Sequence, residues 1–164
     1  MYRRATASDA VTIMRTRIAA IQGLASSHYP QAEIESWCSA RTVESYYAEI
    51  ERKVVLVHEQ DNELVAFGQL NPTTAVIEAI YVHPSCSRRG VGQRLLRALE
   101  VIAAEGGIRE LGLEASLNAV EFYGQAGYVP VSRAMESKDS AATTIYMRRQ
   151  LDAHAATNHS LDVP

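Results

Sequence analysis

Residues 80–96 read IYVHPSCSRRGVGQRLL and join an apolar strand to a helix through a glycine-containing loop. Gly90 and Gly92 let the backbone approach a ligand closely, and the first N–H groups of the following helix lack intrahelical partners. The helix dipole favours an anion at that point, and Arg88 and Arg89 add positive charge there. The loop therefore predicts a cradle for a diphosphate group.

Two alternatives bear on this loop. A pair of glycines also fits a turn that only starts a helix, so the loop alone is a weak signal. Known nucleotide loops fit less well, because no lysine followed by serine or threonine makes a P-loop and no third glycine completes a dinucleotide fingerprint.

Working outward from the loop, short apolar runs bounded by turn residues predict seven strands. They cover residues 2–6, 54–57, 64–70, 75–82, 111–114, 128–135 and 143–147. Short turns join the second, third and fourth of these strands, which makes them antiparallel neighbours. The strand–helix–strand unit after residue 82 predicts a right-handed crossover.

Helical spacing of apolar residues predicts five helical stretches. The first is capped by Ser8 and has an apolar stripe of Val11, Met14, Ile18 and Ile21, and the second starts at Pro30 and carries Ile34 and Trp37. The other three cover residues 43–50, run from Gly90 to Gly106-Gly107, and run from Asn118 to Gly127. The fold class is thus α/β (α+β), a mixed and mostly antiparallel central sheet of about seven strands flanked by helices. Residues 1–151 form a single domain in this interpretation, and the polar tail 152–164 is expected to be disordered.

Composition bounds the function as well. The 164 residues are 47% hydrophobic and 21% charged with a formal net charge of −3, which points to neither nucleic acid nor an anionic membrane as partner. The N-terminus is too polar for a signal peptide, and no apolar run approaches the roughly 18 residues of a membrane helix. Cys38 and Cys86 are too few for a disulfide framework. A cytoplasmic location is therefore expected.

The 80–96 segment resembles the coenzyme A motif of the GCN5-related N-acetyltransferases, which is Gln or Arg, two residues, Gly, any residue, then Gly or Ala. Gly90 and Gly92 match, whereas Ser87 stands where the family has Gln or Arg, so one side-chain contact differs and the backbone cradle is kept. The resemblance implies acetyl-CoA as the acyl donor and no metal. The residues it assigns to the cofactor are Ile80, Tyr81, Val82, Ser87, Arg88, Arg89, Gly90, Val91, Gly92, Gln93, Asn118 and Tyr123.

A second segment, NAVEFYGQAGY at 118–128, resembles the late helix of the same family, in which Asn precedes a Phe-Tyr pair and Gly-Tyr or Gly-Phe ends the turn. An amphipathic helix with a glycine C-cap would share part of that pattern. Both motifs in this order favour the family. They imply that the strand ending at Val82 splays from the strand around Leu113, that the pantetheine arm lies between them beside Asn118, and that the N–H near Ile80 polarises the thioester carbonyl.

The resemblance also places Tyr123 near the sulfur, where a phenol can donate to the leaving thiolate. A tyrosine packed in the core with its hydroxyl bonded elsewhere is the alternative. Glu78 is the candidate base, because it is the only charged residue in 75–82 and lies two residues before Ile80. A solvent-facing Glu78, with a water chain or another carboxylate as the base, is an equal alternative.

The acceptor is the open question. By resemblance the first helices cover the acceptor pocket, so His28, Tyr29 and Trp37 are candidate lining residues, although Trp37 also fits the core. The five histidines show no metal spacing. The partner is an amine, on a small molecule or a peptide, and a homodimer is a further possibility. A non-catalytic acyl-CoA-binding sensor or partner protein on the same fold is the rival to an enzyme, and a nucleotide or flavin binder is a weaker one.

Overall fold

The computed structural model describes residues 1–24, 26–131, 135–136 and 143–151. The tail for which disorder is predicted, residues 152–164, lies outside these ranges. Within them the strands are β1 (Tyr2–Arg4), β2 (Val54–Gln60), β3 (Glu63–Asn71), β4 (Val76–Val82), β5 (Glu110–Ser116), β6 (Val129–Pro130), β7 (Met135–Glu136) and β8 (Thr143–Gln150). The helices are α1 (Ala10–Leu24), α2 (Gln31–Ser39), α3 (Val43–Arg52), α4 (Val91–Glu105) and α5 (Val120–Gln125).

The strands form one mixed sheet in the order β1-β2-β3-β4-β5-β8-β6, with β7 also paired to β8. Among the described residues β4 and β5 form the parallel pair and every other pairing is antiparallel. The predicted fold class is therefore confirmed. The strand predicted at 128–135 is found instead as the two short strands β6 and β7, which pair with different parts of β8.

Helices cover both faces of the sheet. Leu95 and Leu99 of α4 are fully buried on one face together with Leu56 and Leu113 of the strands. Each such leucine contributes on the order of 1.5–3 kcal/mol by its burial. Gly68 permits this close packing, because a Cβ there would lie 2.9 Å from side-chain atoms of Ile80 and Leu99. The packing fixes the start of α4 beside the end of β4.

On the opposite face, α1 and α3 cover Val55, Val57 and Phe67 of the strands through Ile13 and Tyr46. The first helix of the sequence prediction is correct in place, but it is wrong in its cap and in part of its buried stripe, since Ile21 is buried and Val11 is not. A 3-10 turn at Ala7–Asp9 precedes α1, and Asp9 Oδ2 accepts from the N–H of Thr6 at 2.7 Å, so Thr6 rather than Ser8 begins the element.

The buried stripe of α1 is the more consequential correction. Val11 is 41% exposed, whereas Ile13, Arg17 and Ile21, four residues apart, are at most 3% exposed. Both stripes are compatible with 3.6 residues per turn, and contact with β3 and β4 selects the one that includes an arginine. Arg17 therefore occupies a core position, with consequences for the site described below.

Candidate active site

A gap opens between the two parallel strands at the centre of the sheet. β4 and β5 pair only at Val76 with Gly112 and at Ile77 with Leu113, although both strands continue beyond that point. The splay predicted between these strands is confirmed. From residue 78 to residue 82 the side of β4 that faces β5 has no strand partner, so its backbone N–H and C=O groups are available to an extended ligand.

A β-bulge at Glu78 accounts for the direction of the splay. On the other side of β4, Gln69 pairs with Ala79 and Leu70 pairs with Ile77, which leaves Glu78 as the extra residue. A bulge increases the local twist and bends the strand that carries it. Because the bulge falls directly after the last residue paired to β5, it turns the end of β4 away from its parallel neighbour.

The loop after β4 leads into the N-terminus of α4. It contains a 3-10 turn at Pro84–Cys86, and both Arg88 (φ 58°) and Gly90 (φ 74°) adopt left-handed backbone conformations. A side chain at Gly90 would strain this conformation, and its Cβ would lie 3.1 Å from Arg94 Nη1. The exposed Arg88 and Arg89 lie next to the first N–H groups of α4, and this basic helix start, the cradle predicted from the sequence, favours an anion.

The other groups assigned to coenzyme A flank this cradle and the gap. Ser87 is partly buried at the end of the 3-10 turn, Val91 is buried, and Gln93 is exposed on the first turn of α4. A Cβ at Gly92 would lie 3.4 Å from both Phe122 and Val82, so the loop packs close to α5.

Asn118 precedes α5 in a 3-10 turn, and its side-chain Oδ1 is buried without a hydrogen-bond partner. A buried amide oxygen normally has a partner, which an arm lying in the gap would supply. The anion cradle, the open strand edge and this orphaned oxygen all fit acetyl-CoA.

Tyr123 lies on α5 at the far side of the gap. It is 7% exposed and lines a cavity of about 620 Å³. Its ring makes edge contacts with Phe122 and Tyr128. Its hydroxyl makes no hydrogen bond to any residue in the described ranges. Burial raises the pKa of Tyr123, and the nearby Tyr81 raises it further. The phenol therefore remains protonated, and thus a donor, well above neutral pH.

The cavity, about 620 Å³, lies on the α1–α3 side of the sheet and reaches into the gap. Its lining includes residues from helices α1 to α3, from strands β3, β4, β5 and β8, and Tyr123 from α5. Glu78 lies in it with a 23% exposed side chain. Three donors reach this carboxylate: Lys53 Nζ and Gln69 Nε2 donate to Oε2 at 2.5 and 2.8 Å, and Asn71 Nδ2 donates to Oε1 at 3.0 Å.

A second carboxylate lies across the gap from Glu78. Glu114, on β5, follows the last residue paired to β4 and also lines the cavity. It makes no hydrogen bond or ion pair within the described part of the chain. A third carboxylate, Glu49 of α3, is 8% exposed and pairs with Arg41 and with Lys53 Nζ, the latter at 3.4 Å.

The three residues predicted to line the acceptor pocket are placed differently. Trp37 is half-buried and lines the cavity. Tyr29 lies outside the lining, and its hydroxyl links two distant segments of the chain. The hydroxyl accepts from the N–H of Leu117 at 2.7 Å and donates to the carbonyl of Thr143 at 2.5 Å. His28 is exposed, with Nδ1 2.8 Å from Ser27 Oγ, and is also absent from the lining.

Arg17 and Glu114 are two charged residues of the cavity lining that were not predicted from the sequence, and each carries a signal in the sequence. Glu114 is the only charged residue in the strand core 111–115, the same feature that marks Glu78 in its own strand. Arg17 stands between Ile13 and Ile21 at four-residue spacing, so a stripe drawn through those isoleucines puts a charge on the buried face of α1.

Comparisons with known proteins agree with this geometry. Residues 25–149 match the family model described as an acetyltransferase (GNAT) domain. The uncharacterized N-acetyltransferase YafP of Escherichia coli (strain K12) is 31% identical over 136 residues, which make up 80% of this chain and 83% of that protein.

Solved structures are similar over nearly the whole chain. A GCN5-related N-acetyltransferase from Rhodopseudomonas palustris is 28% identical with a TM-score of 0.85, covering 92% of this chain and 95% of that one. The PaiA N-acetyltransferase of Thermoplasma acidophilum, solved in complex with coenzyme A, shares the fold at 22% identity and a TM-score of 0.76, over 92% and 98% of the two chains.

The fold and these relatives thus identify an acetyl-CoA-dependent N-acetyltransferase. The chain belongs to the GCN5-related N-acetyltransferase family. Two features are absent from the described residues. They contain no group of three or more His, Cys, Asp or Glu side chains that could hold a metal ion. No helix among them is both long enough and apolar enough to cross a membrane.

Proposed function

We propose that the enzyme transfers the acetyl group of acetyl-CoA directly to a primary amine, carried by a small molecule or a peptide, that enters the cavity on the α1–α3 side of the sheet. One observation carries the proposal: a single cavity is lined by Tyr123 from one side of the gap and by Glu78 and Glu114 from the two strands that flank it. A proton donor and two proton acceptors therefore face the same space as the incoming amine.

The reaction needs little from the protein beyond positioning and proton transfer. A bound ammonium group loses a proton and attacks the acetyl carbonyl, a nitrogen–carbon bond forms, and the carbon–sulfur bond breaks. A second proton leaves the nitrogen as the amide forms. One proton ends on the coenzyme A sulfur and the other is released to solvent, so the reaction is balanced without a further reactant.

Tyr123 is the proposed proton donor to the sulfur. Burial keeps its pKa raised, so the hydroxyl keeps its proton until negative charge develops nearby. A hydroxyl without a partner among the described residues can turn to the developing thiolate without breaking an existing bond.

Glu78 is the proposed base. Its position at the bulge, where β4 leaves β5, puts it beside the open strand edge, and Lys53, Gln69 and Asn71 fix its orientation. Glu114 on the opposite strand is the alternative proton acceptor, since no partner in the described residues engages it. Matched substitutions of Glu78 and Glu114 by Gln distinguish the two roles.

Acetyl-CoA is held, in this proposal, by backbone more than by side chains. The diphosphate lies against the N–H groups of residues 88–93, with Arg88 and Arg89 supplying charge and Gly90 and Gly92 supplying room. The pantetheine arm pairs with the open edge of β4 at Ile80 to Val82, and Asn118 Oδ1 accepts from it.

The test is release of free thiol from acetyl-CoA in the presence of a library of primary amines, with mass spectrometry of the products. An enzyme releases thiol only when an amine is present and yields the N-acetylated amine in equal amount. An acyl-CoA-binding protein without catalytic activity binds acetyl-CoA in a calorimeter and releases no thiol with any amine, and that result would overturn the proposal.

The cytoplasm is the proposed location, supported by the free thiols of Cys38 and Cys86, which a reducing compartment preserves. A homodimer is the proposed assembly, as the commonest state of symmetric oligomers. Sedimentation equilibrium of the purified chain tests the second point, and a mass equal to one chain at micromolar concentration would contradict it.

A further inference from the structure

The charges that line the cavity are not all balanced. Three cationic side chains reach it from the described residues, those of Arg17, Arg41 and Lys53. Lys53 bridges Glu49 and Glu78, and Arg41 pairs with Glu49. Arg17 pairs with no carboxylate in the described part of the chain, so the cavity contains one cation without a counter-ion.

Arg17 is also almost fully buried, at 3% exposure. Its Nη2 and Nη1 donate to the carbonyls of Trp37 and Cys38 at 2.8 and 3.4 Å, which are in the last turn of α2, and its guanidinium carbon is 5.8 Å from the centre of the Tyr81 ring. The helix end offsets about half a charge. The rest of a buried positive charge is costly unless an anion joins it.

Among the described residues, the cavity also contains one anion without a counter-ion. Glu114, on β5, lies at the gap and has neither a cation nor a hydrogen-bond donor beside it among the described residues. The uncompensated charges are therefore of opposite sign and lie on different walls, with the carboxylate at the gap and the guanidinium over the Tyr81 ring. This arrangement is complementary to a molecule that carries an ammonium and an anionic group together.

We infer that the acceptor is a small amino-carboxylate, whose ammonium group lies at the gap near Glu114 and whose carboxylate pairs with Arg17. The inference rests on the proposed function, because it assigns the substrate class of the same cavity. A planar guanidinium with N–H groups still to place matches a carboxylate in a bidentate fork. A volume of about 620 Å³ is in the range of small-molecule sites.

The test compares acceptors that differ only in that charge. Thiol release is measured with a panel of L-α-amino acids, β-alanine and γ-aminobutyrate, each beside its own carboxamide. For the best acceptor, kcat/KM for the carboxylate should exceed kcat/KM for the carboxamide by about 100-fold or more, because the amide leaves Arg17 without its anion. Arg17→Met should reduce that ratio to near one, and Arg17→Lys, which keeps the charge without the fork, should give an intermediate ratio.

Arg15→Met is the matched control, since Arg15 is exposed on the same helix and should leave the ratio unchanged. Should Arg17→Met fail to fold, the wild-type ratio and the Arg17→Lys ratio still decide the matter. A wild-type enzyme that acetylates carboxamides or carboxyl-free amines at least as well as the acids overturns the inference and leaves the acetyltransferase proposal intact. Absence of thiol release with every amine would overturn both.

Discussion

The cofactor loop and the acceptor cavity lie on either side of one gap, yet the chain specifies them in different ways. The loop from residue 84 to residue 92 is proposed to bind acetyl-CoA through backbone geometry, which is set locally by Gly90 at φ 74° and by the start of α4. The cavity is assembled from side chains on α1 to α3, four strands and α5. A site built from backbone groups can therefore be predicted from a short motif, whereas a site built from side chains depends on the packing of distant segments.

Loss of the Tyr123 hydroxyl should have the largest effect. It should lower turnover in the cavity and leave acetyl-CoA binding by the loop unchanged. If the hydroxyl donates only as the carbon–sulfur bond breaks, as proposed, Tyr123→Phe should lower kcat and kcat/KM together by about 10²–10⁴-fold. The dissociation constant for acetyl-CoA should stay nearly the same. Steady-state kinetics beside a calorimetric titration measure both quantities.

Tyr128→Phe serves as the control for ring packing, since Tyr128 is 2% exposed, contacts the Tyr123 ring and lies outside the cavity lining. The pH profile adds a further readout. The pKa of Tyr123 is raised, so the phenol is lost as a donor only above its ordinary value near 10, and an alkaline limb in that range should vanish in the phenylalanine variant. Full activity of Tyr123→Phe would remove the residue from the mechanism.

The two carboxylates at the gap should differ when each is made an amide. Glu78→Gln should lower kcat by about 10²–10⁴-fold if Glu78 takes the proton, with acetyl-CoA affinity unchanged. Glu114→Gln should chiefly raise the KM of the amine, because it removes an anion that attracts the ammonium. If the larger loss of kcat belongs to Glu114→Gln, the role of base moves from β4 to β5.

A side chain at Gly90 should have a smaller effect, on the loop side only. Gly90→Val places a β-branched residue at positive φ and obstructs the approach to the diphosphate, so acetyl-CoA affinity should fall by about tenfold or more. Gly107→Val is the control, because Gly107 has φ 84° with open space around it at the other end of α4. Equal losses of acetyl-CoA affinity in both variants would mean that helix strain, and not the cradle, explains the effect.

The smallest effect is expected at Gly112, which contacts Tyr146 of the cavity lining. A Cβ at Gly112 would lie 2.1 Å from the Tyr146 hydroxyl, so Gly112→Ala should displace that ring and lower the free energy of unfolding by about 1–3 kcal/mol. Gly124→Ala, where no atom lies within 4 Å, should stay within about 0.5 kcal/mol of wild type or be slightly more stable. Urea denaturation measures both variants, and an undiminished stability of Gly112→Ala would contradict the close contact.

The sequence was sufficient for most elements of the fold and for the glycine-containing loop that begins α4. Strand and helix periods predicted the mixed sheet, and Gly90 and Gly92 predicted a helix start with room for a ligand, because these features depend on neighbours in the chain. Even the divergence of β4 and β5 was expected, although only from family resemblance. Its physical cause, the bulge at Glu78, is a matter of register between strands and leaves no pattern in one strand alone.

The acceptor side was predicted less well, for a physical reason. Tyr29 is of a residue type that is typical of pocket linings. Its hydroxyl instead bonds the backbone of Leu117 and Thr143, which are about ninety residues or more away in the chain. Arg17 was passed over because two apolar stripes on α1 are nearly equivalent in helical spacing, and only contact with the sheet chooses between them. Charges left without partners in a cavity become visible only after all the pairs have been placed.

The central claim is that the loop binds acetyl-CoA, whereas Tyr123 acts in catalysis and not in binding. Calorimetric titration of acetyl-CoA into the wild type, Gly90→Val and Tyr123→Phe tests this claim most directly. The wild type should bind with a micromolar dissociation constant, near −8 kcal/mol. Gly90→Val should weaken binding by about tenfold, or 1.4 kcal/mol, and Tyr123→Phe should bind as the wild type does. An absence of wild-type binding at millimolar acetyl-CoA, or an equal loss of acetyl-CoA affinity in the two variants, would contradict this claim.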